Sequence, residues 1–164
     1  MTGHSIALES LTSWDFASFG EVLEATGNPD MIINAGLCER FQDIATLEFI
    51  GEGARAGLSI FRSRAQSLPC RLTHVEWHPL GSQAFVLMSV DPFVVVVAPD
   101  RAGKPGTPRA FLTRPGQGVN YFRNTWHGTL APLTDNALFA VVDRIGDGNN
   151  LEEYFFAEPY LINS

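Results

Sequence analysis

Short apolar stretches with a period close to two residues follow one another along most of the chain, and proline- and glycine-containing turns separate them. This pattern is typical of short β-strands, because successive side chains of a strand point to opposite faces of a sheet. Strands at this spacing favour a sandwich or a barrel, so the sequence predicts a mainly β fold. The predicted strands are Leu58–Phe61, Leu72–Trp77, Ala84–Met88, Phe93–Ala98, Ala110–Thr113, Trp126–Leu130 and Leu138–Val142.

One of these strands has no polar face. Residues 93–97 read Phe-Val-Val-Val-Val, so both faces of this strand must be buried. We expect the barrel core to cover one face, and either a helix or a partner subunit to cover the other.

The two ends of the chain carry the helix signals. Thr12 is a predicted N-cap with Asp15 three residues later, and Gly20 is a stop signal. A short strand is expected at residues 21–25. At the other end, residues 151–157 are consistent with a last short helix capped by Asn150.

Composition and charge narrow the function classes. The 164 residues contain no repeat or charged linker, so residues 1–164 are expected to form a single domain. The net charge of −7 argues against a nucleic-acid-binding face. The N-terminus lacks the features of a signal peptide, and no apolar run approaches the ~20 residues of a membrane span. A soluble, cytoplasmic protein is expected, with Cys38 and Cys70 as free thiols.

The segment from Leu72 to His78 carries the candidate chemistry. On a strand, Leu72, His74, Glu76 and His78 share one face, and the intervening side chains take the other. Same-face neighbours lie ~6.7 Å apart, so Glu76 and His78 can converge on one ion or ligand. His74 lies ~13 Å from His78 by the same rise and is expected at the barrel rim.

Two more groups complete this set. A tight turn follows His78, so Gln83 at the start of the next strand is expected beside it, and His127 comes from a later strand. Carboxylate, imidazole and amide groups are compatible with a divalent metal and, for the first two, with acid–base catalysis. The four residues resemble the cupin pattern of a H-x-H motif, a later carboxylate and one distant histidine. Glu76 replaces the first histidine and Gln83 replaces the carboxylate, so a metal-free site is an equal alternative.

Longer stretches carry a closer resemblance. From about residue 8 to about residue 150 the chain resembles the ureidoglycolate lyase family of allantoin breakdown. The resemblance implies a cupin-like jelly-roll β-barrel, a homodimer, an association with nickel, and a carbon–nitrogen lyase that converts (S)-ureidoglycolate into glyoxylate and urea. The stretches are residues 34–40, 59–62, 78–85, 93–97 and 116–121, followed by Arg123-Asn124, Trp126-His127 and Asp143-Arg144.

The implied substrate suggests roles for individual residues. Ureidoglycolate has a carboxylate to anchor, a hydroxyl proton to remove and a departing urea nitrogen to protonate. Arginine suits the carboxylate in this acidic protein, with Arg62 as first choice and Arg123 as second. His78 and His127 are the acid–base candidates, and Glu76 is expected to orient one of them or to bind metal. Gln83, Asn120 and Tyr121 are expected to hydrogen-bond the ureido group.

Three other functions remain open at the level of the sequence. The first is hydrolysis of the same substrate to ammonia and carbon dioxide. The second is a metal-dependent cupin oxygenase or isomerase that acts on another small acid. The third is a non-catalytic cupin that only binds a ligand or a protein.

Overall fold

The computed structural model describes residues 4–164, and almost all of its regular structure is β-strand. Residues 1–3, on which part of the signal-peptide prediction rests, lie outside the described part. Apart from a short 3₁₀ turn at Asn34–Gly36, the elements are β1 Ser5–Ser10, α1 Ser13–Phe16, β2 Gly20–Leu23, β3 Met31–Ile33, β4 Cys38–Arg40, β5 Arg55–Ser63, β6 Cys70–Trp77, β7 Gln83–Leu87, β8 Phe93–Ala98, β9 Arg109–Leu112, β10 Gly118–Tyr121, β11 Trp126–His127, β12 Ala131–Pro132, β13 Ala137–Ile145 and β14 Glu152–Asn163.

The largest sheet closes on itself. Its strand order is β11-β6-β14-β1-β9-β8-β12, and an additional pairing between β11 and β8 completes the ring. Strand β1 runs parallel to both of its neighbours, and the other pairs are antiparallel, so the barrel is mixed. One apolar cluster draws on all the strands of the ring and fills its interior. Its buried members are Ile6, Leu72, Val75, Val94, Val96, Ala98, Ala110, Trp126 and Ile162.

A second sheet packs on the outside of this barrel. It has five strands in the order β2-β10-β7-β13-β5, all antiparallel. A second cluster joins side chains of both sheets, among them Phe93 and Val97 from β8 and Phe85 and Phe139 from the five-stranded sheet. The space between the two sheets is therefore the main core, and the candidate site described below lies in the same layer. The predicted mainly β, cupin-like barrel is confirmed.

The predicted N-terminal helix is confirmed as α1, a single turn. The Thr12 hydroxyl accepts a hydrogen bond from the Asp15 backbone N–H at 3.1 Å, as an N-cap should. Phe16 is fully buried and contacts Phe19, Phe111 and Tyr121, so this turn closes one end of the core.

The prediction for the second face of the Phe93–Val97 strand was wrong. All six residues of β8 are buried, as expected, but neither a helix nor a partner subunit covers the second face. Val94, Val96 and Ala98 point into the closed barrel, and Phe93, Val95 and Val97 point to the core between the sheets. The barrel closes through β14, so the chain itself covers this face.

The predicted C-terminal helix was also wrong, since the segment belongs to the twelve-residue strand β14. Tyr154 and Phe156 pack against the cluster inside the barrel, whereas Phe155 between them is 66% exposed. This is the alternation of a strand, and pairing with β6 satisfies the backbone of the segment. Asn150 therefore caps no helix.

Several boundaries differ from the predictions. The predicted strand at 126–130 is only two residues long. Leu72 faces the interior of the barrel with Val75, so the expected alternation fails at the start of β6. The partner strand β14 has a register shift opposite this point, between Phe155 and Tyr160.

Among the described residues, no helix has the length and hydropathy to cross a membrane.

Candidate active site

Glu76, His78 and His127 meet on the outer face of the barrel, toward the five-stranded sheet. His127 on β11 is directly opposite Glu76 on β6 in an antiparallel pair, so their side chains share a face. The flanking Trp77 and Trp126 point the other way, into the barrel, where their rings stack with centroids 4.3 Å apart. Alternation along two paired strands thus brings the three groups together.

These three side chains are close enough to bind one ion. One ligand atom of each lies within 4.8 Å of the others, and the two imidazole rings have centroids 5.2 Å apart. His127 is buried, and Glu76 and His78 are half-buried.

Backbone carbonyls set the protonation pattern of both imidazoles. His78 Nδ1 lies 2.6 Å from the Asn150 carbonyl oxygen, and His127 Nδ1 lies 3.0 Å from the Gly128 carbonyl oxygen. A carbonyl oxygen only accepts, so each Nδ1 carries the proton and donates it. Both Nε2 atoms are buried and have no protein partner among the described residues. In its neutral form, each ring therefore offers the lone pair of Nε2 to a metal or to a proton.

Burial shifts the pKa values of this cluster. Burial, with a smaller contribution from the charge of His78, lowers the pKa of His127 to about 3. Burial also raises the pKa of the Glu76 carboxyl, although the neighbouring histidines oppose the shift. The pKa of Tyr121 rises for the same reason, and the charge of Glu76 adds to it. Each shift disfavours the charged form of its own group.

The five-stranded sheet supplies the opposite wall. Tyr121 on β10 stacks on His127 with the ring centroids 4.2 Å apart and the planes at 6°. Gln83 on β7 is directly opposite Tyr121 in the ladder and so shares its face. The Gln83 amide nitrogen donates to Asp143 on β13 at 3.3 Å, and its buried Oε1 has no partner among the described residues.

Asn120 lies on the other face of the same sheet. It is fully buried, and its amide nitrogen donates to Glu21 at 2.7 Å and to the Thr46 carbonyl oxygen at 3.1 Å. Asn120 therefore holds the loop around Thr46 against the sheet. The structure does not bring it to the three-residue cluster.

The two candidate arginines also lie away from the cluster. Phe61 contacts Phe85 in the core layer, so the adjacent Arg62 points to the outer face of the five-stranded sheet, where it is exposed. Arg123 donates to Glu48 at 3.0 Å and to the Pro79 carbonyl oxygen at 3.1 Å. These hydrogen bonds connect two loops. Neither Arg62 nor Arg123 therefore reaches the three-residue cluster.

His74 is not one of the three clustered groups. Its ring stacks on Phe155 with centroids 5.0 Å apart, and its Nε2 lies 4.0 Å from a Glu153 carboxylate oxygen. These contacts agree with the expected position of His74 away from the site.

Sequence reasoning missed Asn150 as part of the site. Its backbone carbonyl binds His78, and its side-chain oxygen accepts from the Leu80 N–H at 2.8 Å. Asn150 thereby fixes both the imidazole and the turn that follows it. An asparagine before an apolar run is also the sequence signal of a helix N-cap. Only the strand pairing shows that Asn150 precedes a strand and not a helix.

Arg144 supports the same turn from behind. It is buried, and it donates to the carbonyl oxygens of Ile50 and Asp147, each at 2.6 Å. A Cβ added at Gly81 would lie 2.7 Å from the Arg144 Cβ, so a glycine is required where the turn passes this side chain. Asp143 and Arg144 therefore lie on opposite faces of β13. The Asp143 side chain points toward Gln83, and the Arg144 side chain points toward the loops.

Comparisons with known proteins identify the family of the chain. The family profile described as Ureidoglycolate lyase matches residues 3–163. A protein of Chelativorans sp. named ureidoglycolate lyase is 54% identical over 158 residues, which cover 96% of each chain. Proteins of the same name from Rhodobacter capsulatus and Mesorhizobium japonicum are 53% and 49% identical, each over 96% of this chain and 97% of its own length. The chain therefore belongs to the ureidoglycolate lyase family.

Proposed function

We propose that this protein is a carbon–nitrogen lyase that cleaves (S)-ureidoglycolate to glyoxylate and urea. The reaction serves allantoin breakdown in purine degradation and nitrogen utilisation. Membership of the family supports the substrate. The observation that carries the chemistry is the pair of imidazoles of His78 and His127, whose buried Nε2 atoms lie beside Glu76 and have no partner among the described residues.

The reaction requires one proton to move from oxygen to nitrogen. An imidazole Nε2 takes the proton of the substrate hydroxyl, and the electron pair of the O–H bond forms the carbonyl of glyoxylate. The carbon–nitrogen bond breaks, and its electron pair leaves with the urea nitrogen. The imidazolium formed in the first step returns this proton to that nitrogen. Glu76 stabilises the imidazolium by its negative charge.

Glu76, His78 and His127 also fit a divalent metal. Two imidazoles with a free Nε2 and one carboxylate form a donor set suited to nickel or zinc, and Gln83 is a candidate fourth ligand through Oε1. When bound, the ion would polarise the substrate hydroxyl as a Lewis acid. It would occupy the same Nε2 atoms, so the metal-bound and acid–base forms of the site exclude each other. Elemental analysis and activity after chelation decide between them.

Tyr121 and Gln83 are our proposed contacts for the ureido group, because they form the wall that faces the imidazoles. For the substrate carboxylate, the outward position of Arg62 and the engaged position of Arg123 argue against their predicted role within one chain. We leave Asn120 out of this proposal, because its amide nitrogen donates to Glu21.

We also propose a homodimer that forms through the outer face of the five-stranded sheet. Exposed apolar side chains from β5, from β7 and from the residue that follows β7 share this face: Leu58 is 73% exposed, Ile60 57%, Val86 46% and Met88 54%. Val86 and Ile60 flank the same residue, Ala140, in adjacent ladders, so the patch is continuous. Contiguous apolar surface of this kind marks an interaction site. The free thiols of Cys38 and Cys70 are consistent with a cytoplasmic location.

The test of the proposed reaction uses racemic ureidoglycolate. We expect the purified protein to release glyoxylate until half of the racemate is consumed, with the R enantiomer left over. Complete consumption would refute the stereospecificity, and no release of glyoxylate would refute the activity.

A further inference from the structure

We propose that Asp143 is a positioning residue that fixes the amide of Gln83, so that the site presents a hydrogen-bond acceptor to the ureido group of the substrate. The inference rests on the proposed function and adds to it a residue that determines specificity. The pattern Asp-Arg alone has no predictive value, and the role of Asp143 emerges only from its contact with Gln83.

The contact determines which way the amide points. Gln83 Nε2 lies 3.3 Å from Asp143 Oδ2. An ionised carboxylate has only acceptor oxygens, so the side of the amide that faces Asp143 must be the NH₂ group. The amide oxygen, Oε1, is therefore forced to the opposite side. The orientation follows from chemistry and does not depend on distinguishing nitrogen from oxygen by position.

The surroundings of the Gln83 amide oxygen identify it as an unused hydrogen-bond acceptor. Gln83 is 7% exposed, and its Oε1 is buried with no partner among the described residues. Buried polar atoms without a partner are uncommon in folded proteins, and they cluster where a ligand completes the bonding. Gln83 shares its face with Tyr121, which stacks on His127, so this acceptor belongs to the wall of the candidate site.

The two products differ in what they offer to such an acceptor. The ureido group carries N–H donors, whereas the carboxylate and the carbonyl of glyoxylate have only acceptor oxygens. An acceptor fixed in place thus favours the ureido end of the substrate and disfavours a second carboxylate there. Asp143, although it need not touch the substrate, sets this preference through Gln83.

The experiment measures product inhibition by urea and by glyoxylate in Asp143→Leu. Leucine removes the acceptor that holds the NH₂ group, so the amide is free to turn its donor toward the site. We expect the inhibition constant of urea and the KM to rise about tenfold, as for the loss of one well-formed hydrogen bond. The constant of glyoxylate should stay the same or fall, because a negative charge has been removed. Asp143→Asn retains one acceptor oxygen and should give a smaller rise.

Asp135→Leu is the matched control. Asp135 accepts a hydrogen bond from the Ala65 backbone N–H, but it lies in the turn before β13, and the first residue of that strand, Ala137, is itself roughly 20 Å along the strand from Asp143. It should leave both inhibition constants unchanged. A purely structural role of Asp143 predicts that urea and glyoxylate weaken together, and that result would overturn the proposal.

A second variant tests whether Asp143 acts through Gln83. Gln83→Met has no amide to orient, so adding Asp143→Leu to it should change urea inhibition by less than about twofold. Additive effects would contradict the coupling. Bound metal, measured in the same preparations, should not change, and a parallel loss of metal would make Gln83 a ligand instead. If the wild-type protein does not cleave ureidoglycolate at all, the proposed function fails first, and direct titration with urea still tests Asp143.

Discussion

His78 and His127 have their reactive nitrogens selected by the backbone. Each Nδ1 is tied to a carbonyl oxygen, one from Asn150 and one from Gly128, so each Nε2 is available. Strand alternation and the resemblance to the cupin pattern predicted from the sequence that Glu76, His78 and His127 can meet, and the structure brings the three side chains together. The tautomers were not predictable, because the two carbonyls come from segments with no recognisable motif.

Orientation limited the prediction of the other site residues. Arg62 and Asn120 occupy stretches that resemble the family, yet both point to the outer face of the five-stranded sheet. The face of a strand residue depends on register, and a shift of one residue reverses it. Short strands of unknown partner do not reveal that register, so residue type alone does not predict which face of the sheet these side chains occupy.

His127→Ala tests the imidazole pair. We expect kcat to fall at least about a hundredfold, because a positioned general base contributes about 10²–10⁴-fold. His74→Ala is the control, since His74 stacks on Phe155 outside the cluster, and its turnover should change little. We would compare the two variants with the wild type by steady-state kinetics, using samples whose thermal unfolding matches that of the wild type. Wild-type turnover in His127→Ala would remove this residue from the mechanism.

The depressed pKa of His127 makes stability depend on pH. In metal-free protein the unfolded chain binds a proton at this position below about pH 6.5, whereas the native state does so only near pH 3. The free energy of unfolding should therefore fall as the pH decreases through this window, by up to about 1.4 kcal/mol per pH unit.

The comparison with His127→Gln isolates this contribution. The raised pKa of Glu76 contributes with the opposite sign, but Glu76 is present in both proteins and largely cancels. Denaturant unfolding at several pH values should show a steeper loss for the wild type on acidification. Parallel curves would mean that His127 does not titrate as described.

At the level of elements, the long strand β14 departs most from expectation. Its sequence has a capping asparagine and acidic residues at its start, which favour a helix locally, but pairing with β6 and β1 closes the barrel. Tertiary pairing thus outweighed the local signal. The same closure explains why both faces of β8 are buried. One apolar face packs inside the barrel, and the other packs in the core between the two sheets. The sequence predicted correctly that both faces of β8 are buried, but it contained no signal that β14 would close the barrel around one of them.

Ile162→Ala tests the contribution of β14 to the barrel. Ile162 is 2% exposed in the interior cluster, so truncation should lower the free energy of unfolding by about 2–5 kcal/mol. Phe155→Ala in the same strand removes a larger but 66% exposed side chain and should cost clearly less. Equilibrium unfolding of both variants gives the comparison, and equal losses would contradict the buried role of β14.

At the scale of the whole molecule, the outer face of the five-stranded sheet is our proposed dimer interface. We expect the protein to be a dimer by light scattering coupled to size exclusion, because Ile60 and its neighbours expose a continuous apolar patch. Ile60→Glu should shift it to the monomer by placing a charge in a desolvated interface. Leu37→Glu, at a position that is 89% exposed on a separate two-stranded ribbon, should remain dimeric. A dimeric Ile60→Glu protein would move the interface elsewhere.

The products formed from ureidoglycolate test the central claim most directly. A lyase that moves one proton from the hydroxyl to the urea nitrogen releases glyoxylate and urea in equal amounts and no ammonia. We predict this stoichiometry for the wild-type protein, together with its loss in His127→Ala. Release of ammonia with carbon dioxide would show hydrolysis of the amide instead, and it would contradict the acid–base roles of His78 and His127.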